Sequence, residues 1–196
     1  MNKTKIISIS GGMCVGKTTL LDNLSKKTNN AQFFFENAHL NPYIDDANIN
    51  PKSWCLHSRI AFLTQKIEAY QKITGDFQYH FFDRSFEEEM LIASFFNQVG
   101  YLNNRDFSVY KTLYSQIEKY IPTSDLVIYL YCPINIALDR LKRRNSQYES
   151  NFSEDNFNKL TQNYINWINT LPQNKVIRID TGNNLDISDL VIDLIK

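Results

Sequence analysis

The chain has 196 residues, 43% of them hydrophobic, with 21 basic and 21 acidic side chains and a formal net charge of zero. A chain of this length buries about 70% of the surface its unfolded form exposes, so it needs no disulfide or structural metal to hold a core. The even charge balance excludes polymeric nucleic acid as a partner held by bulk charge, and leaves any anion site to a local cluster.

Cys14, Cys55 and Cys132 are odd in number and form no C-x-x-C pair, which argues against a disulfide framework or a thiolate zinc site and suits a reducing cytoplasm. No apolar run approaches the roughly 20 residues of a membrane span. The first apolar segment is too short and too polar-flanked for a signal peptide. The expectation is a cytoplasmic protein without a membrane anchor, and no Gly/Ser-rich or Pro-rich linker divides residues 1–196 into separate domains.

Five short apolar runs follow one another along the chain: Lys5 to Ser10, Ala31 to Phe35, Phe77 to Phe82, Leu126 to Tyr131 and Lys175 to Ile179. Between them, apolar residues recur at spacings of three and four, as in Ile60, Leu63, Ile67 and Tyr70, or Leu160, Tyr164, Trp167 and Ile168. The first set reads as strands and the second as helices. Strands that are apolar on both faces and separated by helices predict a parallel sheet covered on both sides, because parallel neighbours need long crossovers. The expected class is α/β with three layers. Pro133 suits the first turn of the helix after the fourth strand. Ser153, followed by Glu154 and Asp155, predicts the start of a helix that ends near Thr170, and Ile187 to Ile195 reads as the last helix.

The chemistry begins right after the first strand. Gly11, Gly12, Met13, Cys14, Val15, Gly16, Lys17, Thr18 and Thr19 satisfy G-x-x-x-x-G-K-[ST], the phosphate-binding loop. Glycines allow backbone conformations that aim successive N–H groups inward, and the following helix presents its positive end. Lys17 reaches the outer phosphates of ATP, and the Thr18 hydroxyl is placed to ligate Mg²⁺. The N-K-x-D signature of GTP readers is missing, since Asn174-Lys175 continues into Val176-Ile177. Phe81-Phe82 runs instead into Asp83-Arg84-Ser85, which points to a small-molecule kinase, with Asp83 as a second Mg²⁺ group and Arg84 as countercharge to the migrating phosphoryl. Arg140 and Arg144, four apart in a basic cluster, predict a helical face that closes over ATP phosphates. Glu36, at the end of the second strand, stands at the sheet edge where ligands of open α/β sheets collect. There it is a candidate general base for a substrate hydroxyl.

Together these residues resemble the deoxynucleoside kinase family, in particular the bacterial deoxyadenosine and deoxyguanosine kinases. The resemblance runs over residues 4 to 180 in ordered pieces: the phosphate-binding loop, Glu36 with Asn41-Pro42-Tyr43, Pro51-Lys52-Ser53-Trp54, Asp83-Arg84-Ser85, Gly100-Tyr101, Asp125 to Leu130, and the segment from Arg140 to Glu149. It implies a five-stranded parallel sheet of P-loop kinase type and transfer of the ATP phosphoryl group to the 5′-hydroxyl of a deoxynucleoside, with a weak preference for purines. Within it, Glu36 is the base, Arg84 the bridge between base and phosphates, and Asp83 the Mg²⁺-associated carboxylate. Arg140 and Arg144 are the grip on ATP, Glu149 the contact to the deoxyribose hydroxyl, and Tyr43 and Trp54 walls of the nucleoside pocket. It further implies a homodimer paired through helices, for which the tyrosine-rich stretch from Ser108 to Ile121 is the candidate.

Several positions depart from the family pattern. Arg59 stands where a glutamine usually reads the base, Lys66 and Glu89 replace an arginine and an aspartate near it, Asn48 replaces a tyrosine, and Ser146 replaces the lid's second arginine. Arginine only donates, so Arg59 suits a base edge with two acceptors, such as O6 and N7 of guanine; pairing with Glu89 is its alternative role. The departures also leave open another small acceptor, such as a nucleoside monophosphate, or a nucleotide-binding subunit without catalysis. His39, His57 and His80 have no metal-ligand spacing and read as packing or surface residues.

Overall fold

The computed structural model describes residues 4–144, 152–183 and 185–195. Five strands form one sheet: β1 (Lys5–Ser10), β2 (Ala31–Phe34), β3 (Tyr79–Asp83), β4 (Leu126–Tyr131) and β5 (Val176–Asp180). Their order is β2-β3-β1-β4-β5, and every pairing is parallel. The helices that cross between them are α1 (Lys17–Lys27), α2 (Ile44–Ile49), α3 (Pro51–Gln71), α4 (Glu87–Gln98), α5 (Asn104–Ile117), α6 (Ile134–Arg144), α7 (Glu154–Thr170) and α8 (Ser188–Ile195).

Strand residues alternate between two apolar layers, as a period of two requires. Ile7, Ile9, Phe81, Ile128 and Leu130 meet α1 and α8 through Leu20, Leu21, Leu24 and Val191. On the opposite face Ile6 and Phe82 pack on α3 and α5, while Val127 and Tyr129 pack on α7 through Leu160, Tyr164 and Ile168. Phe82 is fully buried between Phe34 and Tyr70, with ring centroids at 4.5 and 4.2 Å.

β1 and β4 keep the bounds read from the sequence, while other edges shift by one or two residues, β2 ending at Phe34 and not at Phe35. β3 begins at Tyr79 rather than Phe77, because its pairing with both neighbours starts there, Tyr79 standing opposite Lys5 and Ala31. β5 starts after a 3₁₀ turn that takes in Lys175 and runs on to Asp180. Pro133 sits just before α6, its carbonyl accepting from the amide of Ala137. Ser153 caps α7 as expected, its hydroxyl accepting from the amide of Asn156 at 3.2 Å. In this order β1 and β3 are central and adjacent, so the loops that leave their carboxyl ends, Gly11 to Gly16 and Arg84 to Phe86, lie side by side.

Candidate active site

The loop after β1 depends on two glycines. Gly11 has φ +141°, and a Cβ there would stand 2.3 Å from the carbonyl oxygen of Leu130. Gly16, at φ +94°, turns the chain into α1 from the left-handed region that glycine adopts at little cost. Lys17, the first residue of α1, is buried and folds back to donate from Nζ to the Gly12 carbonyl at 2.6 Å. Burial and the nearby Arg84 cation lower its pKa to about 8, against the pull of Asp83, Glu88 and Glu36. Thr181, just past β5, clamps the loop from behind, its hydroxyl donating to Val15 O at 2.8 Å.

Asp83, the last residue of β3, accepts at Oδ2 from the Thr18 hydroxyl at 2.8 Å, while its Oδ1 is buried with no hydrogen-bond partner. Among the described residues no cluster of three His, Cys, Asp or Glu side chains forms a metal cage. One carboxylate and one hydroxyl suit a divalent cation that keeps its waters and takes its remaining ligands from phosphates, which is the habit of Mg²⁺. The orphaned Oδ1 is the atom left for it.

Arg84 turns the chain sharply, with φ +67°. Its Nε lies 2.7 Å from Glu36 Oε2, and its Nη1 donates to Gly11 O at 3.2 Å and to the hydroxyl of Tyr164. Burial works against the charge, but Tyr164, Glu36, Glu88 and Asp83 outweigh it, so the guanidinium stays protonated. Burial likewise pushes the Glu36 carboxyl up, and Arg84, Lys66, Lys17 and Arg59 more than reverse this, so it is held below the usual carboxylate range. Glu36 is therefore ionised at neutral pH. These groups share one cavity of about 950 Å³, lined by the phosphate-binding loop, Lys17, Thr18, Glu36, Asp83 and Arg84, with Arg140 and Arg144 at its far side. That volume lies at the upper end for small-molecule sites.

A family model for deoxynucleoside kinase matches residues 7–195. The chain belongs to the deoxynucleoside kinase family. The deoxyadenosine kinase of Dictyostelium discoideum is 29% identical over 185 residues, 94% of this chain and 75% of that protein. The deoxyadenosine/deoxycytidine kinase of Bacillus subtilis is 27% identical over 169 residues, 85% of this chain and 77% of that one. The structure of deoxyadenosine kinase from M. mycoides, with products dCMP and a flexible dCDP bound, superposes with a TM-score of 0.84 at 22% identity, covering 97% of this chain and 98% of that one. At that identity it speaks for the fold, a five-stranded parallel α/β sheet of this family. The chain is thus a kinase that phosphorylates a deoxynucleoside.

Not every residue expected at the kinase site has the surroundings the sequence suggested. Arg59 is buried against Glu89, 3.8 Å between Nη1 and Oε2, with its guanidinium 4.4 Å over the ring of Phe62 and 5.4 Å over Phe96. Burial, with Glu36 nearby, raises the Glu89 carboxyl against the pull of Arg59 and Lys66. Lys66 reaches the site from α3 through its ammonium, which donates to the carbonyls of Asp83 and Arg84 at 2.7 and 3.0 Å. Tyr43 and Trp54 stack on each other at 5.7 Å, and both meet the exposed ring of His57 at a tilt. Arg140 is tied to backbone, donating to Cys14 O at 3.2 Å and to Thr181 O. Ser146 and Glu149 lie outside the described residues. Among the described residues no helix is long and apolar enough to cross a membrane.

Three groups at the kinase site escaped the sequence reading. Thr181 and Tyr164 come from distant segments, and no local signal points to the contacts of their hydroxyls. Glu88 does carry one, since Ser85-Phe86-Glu87-Glu88 has the S-x-x-E spacing of a capping box. Its Oε1 accepts from the Ser85 amide at 2.8 Å.

Proposed function

We propose that this kinase transfers the γ-phosphoryl group of ATP to the 5′-hydroxyl of a deoxynucleoside, with Mg²⁺ and with purines preferred. The observation that carries the reading is Arg84, whose guanidinium bridges the Glu36 carboxylate and the phosphate-binding loop inside one cavity. Glu36, ionised and facing that cavity, accepts the hydroxyl proton as the substrate oxygen bonds to phosphorus and the β–γ bridging bond breaks to release ADP. Lys17 holds the outer phosphates, Arg84 balances charge on the transferred group, and Arg140 and Arg144 enclose the triphosphate. The backbone amides from Gly12 to Thr19 cradle the phosphates. Mg²⁺ held at Thr18 and Asp83 would supply charge neutralisation across the phosphates.

Arg59 and Glu89 together offer donors beside an acceptor. A purine's N7 with its neighbouring six-position group suits that pair, O6 and N1–H in guanine or the N6 amino group in adenine. Tyr43 and Trp54 supply the apolar wall, and Glu149 meets the sugar. We further propose a cytoplasmic homodimer. Val109 and Leu113, four apart on α5 and 58% and 40% exposed, face outward within the Ser108 to Ile121 stretch expected to pair.

The test is Glu36→Ala, assayed with ATP, Mg²⁺ and each natural deoxynucleoside in turn. Turnover should fall at least a hundredfold while ATP binding stays within about threefold. Turnover within threefold of wild type would remove Glu36 from the chemistry. The same panel with the unaltered enzyme decides the base, and a pyrimidine turned over best would overturn the purine preference.

A further inference from the structure

The guanidinium of Arg84 is divided among its nitrogens. Nε faces Glu36, Nη1 faces Gly11 and Tyr164, and Nη2 makes no hydrogen bond among the described residues. Which nitrogen points where depends on two residues outside the phosphate-binding loop. Glu88 is fully buried on the first turn of α4. Its Oε1 accepts from Ser10 Oγ at 2.5 Å and from the Ser85 amide at 2.8 Å. Its Oε2 accepts from the Tyr164 hydroxyl at 2.7 Å and lies 3.6 Å from Arg84 Nη1. Tyr164, also fully buried, is in the middle of α7. Its hydroxyl hydrogen is committed to Glu88, so its lone pairs are turned toward Arg84.

We propose that Tyr164 and Glu88 are positioning residues of the phosphoryl transfer: together they lock Nη1 of Arg84 away from the cavity, so that Nε is held on Glu36 and Nη2 is presented to the transferred group. The chain of contacts runs Ser10–Glu88–Tyr164–Arg84–Glu36 and joins β1, α4, α7, the turn after β3 and the segment after β2. The links from Ser10 to Arg84 are hydrogen bonds with one direction only, because the Tyr164 phenol donates to a carboxylate and accepts from a cation, and the last, from Arg84 to Glu36, is an ion pair. Burial keeps that phenol protonated, its pKa well above the ordinary value despite the neighbouring Arg84. A guanidinium without these two contacts would be free to swing about the single bonds of its stem, which carries the whole planar group off Glu36 and moves Nη2 away from the transferred group. Displacements of about 1 Å at a reacting centre cost up to a hundredfold in rate.

The inference rests on the role given to Arg84 under the proposed function, and the experiment separates the two. Tyr164→Phe keeps the ring, which stacks against Tyr129 with centroids 6.3 Å apart, and removes only the hydroxyl. With ATP, MgCl₂ and whichever of deoxyadenosine and deoxyguanosine turns over faster, kcat should fall about tenfold to a hundredfold. Both KM values should stay within about threefold. In an Arg84→Ala background the same substitution should change kcat by less than twofold, because a residue acting through Arg84 has nothing left to position. Glu88→Gln, of the same shape, should lower kcat in the same way and keeps the proposal testable should Tyr164→Phe fold poorly. A kcat within twofold of wild type in either folded single variant would overturn the proposal, as would equal losses with and without Arg84. Should Arg84→Ala itself leave kcat unchanged, the assignment of Arg84 fails instead.

Discussion

Lys17 gives the sharpest test of the site's electrostatics. Its ammonium is buried, bonded to the neutral Gly12 carbonyl and crowded by Arg84, and its pKa falls from 10.5 to about 8. Holding that charge in the fold costs about 3 kcal/mol at neutral pH by linkage. The sign follows from the direction of the shift. Between pH 8 and 10.5 the unfolded chain binds more protons at this lysine than the folded one, so the free enzyme's stability rises with pH there. ATP acts oppositely, because its phosphates restore the charged form. ATP affinity should therefore weaken about tenfold per pH unit above 8, and binding at pH 9 should take up about 0.9 proton. Calorimetric titration of ATP at pH 9 in two buffers of different ionisation enthalpy measures that uptake. Lys17→Met, titrated at higher concentration to offset weaker binding, should take up almost none. An uptake below about 0.3 proton, or equal values for the two proteins, would refute a lysine depressed by burial.

Other residues give equally direct outcomes. Asp83→Asn keeps the size of the side chain but removes a carboxylate oxygen from the orphaned position; it should raise the Mg²⁺ concentration for half-maximal turnover at least tenfold in a Mg²⁺ titration of kcat. Arg59→Gln leaves the buried Glu89 charge without its cation and should cost about 3–5 kcal/mol in urea unfolding at pH 7.5. Because the Glu89 carboxyl is already raised and would rise further, the folded variant binds more protons than the unfolded chain, so the loss should shrink at pH 5.5. Lys66→Met strips a charged donor from the buried carbonyls of Asp83 and Arg84 and should cost about 3 kcal/mol, with a loss under 1 kcal/mol refuting the contact's importance.

The parts of the architecture carried by local pattern were open to sequence reasoning. β1 and β4 are buried on both faces over most of their length, and the bounds read from the sequence match both to the residue, as expected of parallel strands covered by helices. The phosphate-binding loop was legible because its glycines answer to backbone geometry and not to distant partners. The start of β3 was not, since where pairing begins is decided by the facing residues Lys5 and Ala31. Tyr164 shows the limit within a single residue. Its spacing with Leu160 and Ile168 reads as one apolar helical stripe, yet periodicity says nothing of the hydroxyl, whose partners are Glu88 on α4 and Arg84 just past β3. Lys66 is a similar case: the family resemblance marks it as a base-side cation, and only the fold brings it to the carbonyls of Asp83 and Arg84.

The same contacts explain why an otherwise unfavourable backbone persists at Arg84. A non-glycine residue at φ +67° is uncommon and needs its surroundings to hold it. Here the Arg84 amide donates to Ile9 O at 3.0 Å, Lys66 binds the carbonyls on both sides of the turn, and the Ser85 amide is taken by Glu88. With the peptide groups fixed from β1, α3 and α4, the arginine side chain leaves the sheet in the one direction that lies between Glu36 and Gly11. Its charge is met by Glu36 and Glu88, whereas Lys17 donates to a carbonyl that carries no charge. The two cations therefore divide the work: the arginine is held mainly for direction, and the lysine keeps an ammonium that an arriving phosphate can neutralise. That division accounts for the opposite pKa shifts of two buried cations that share one cavity.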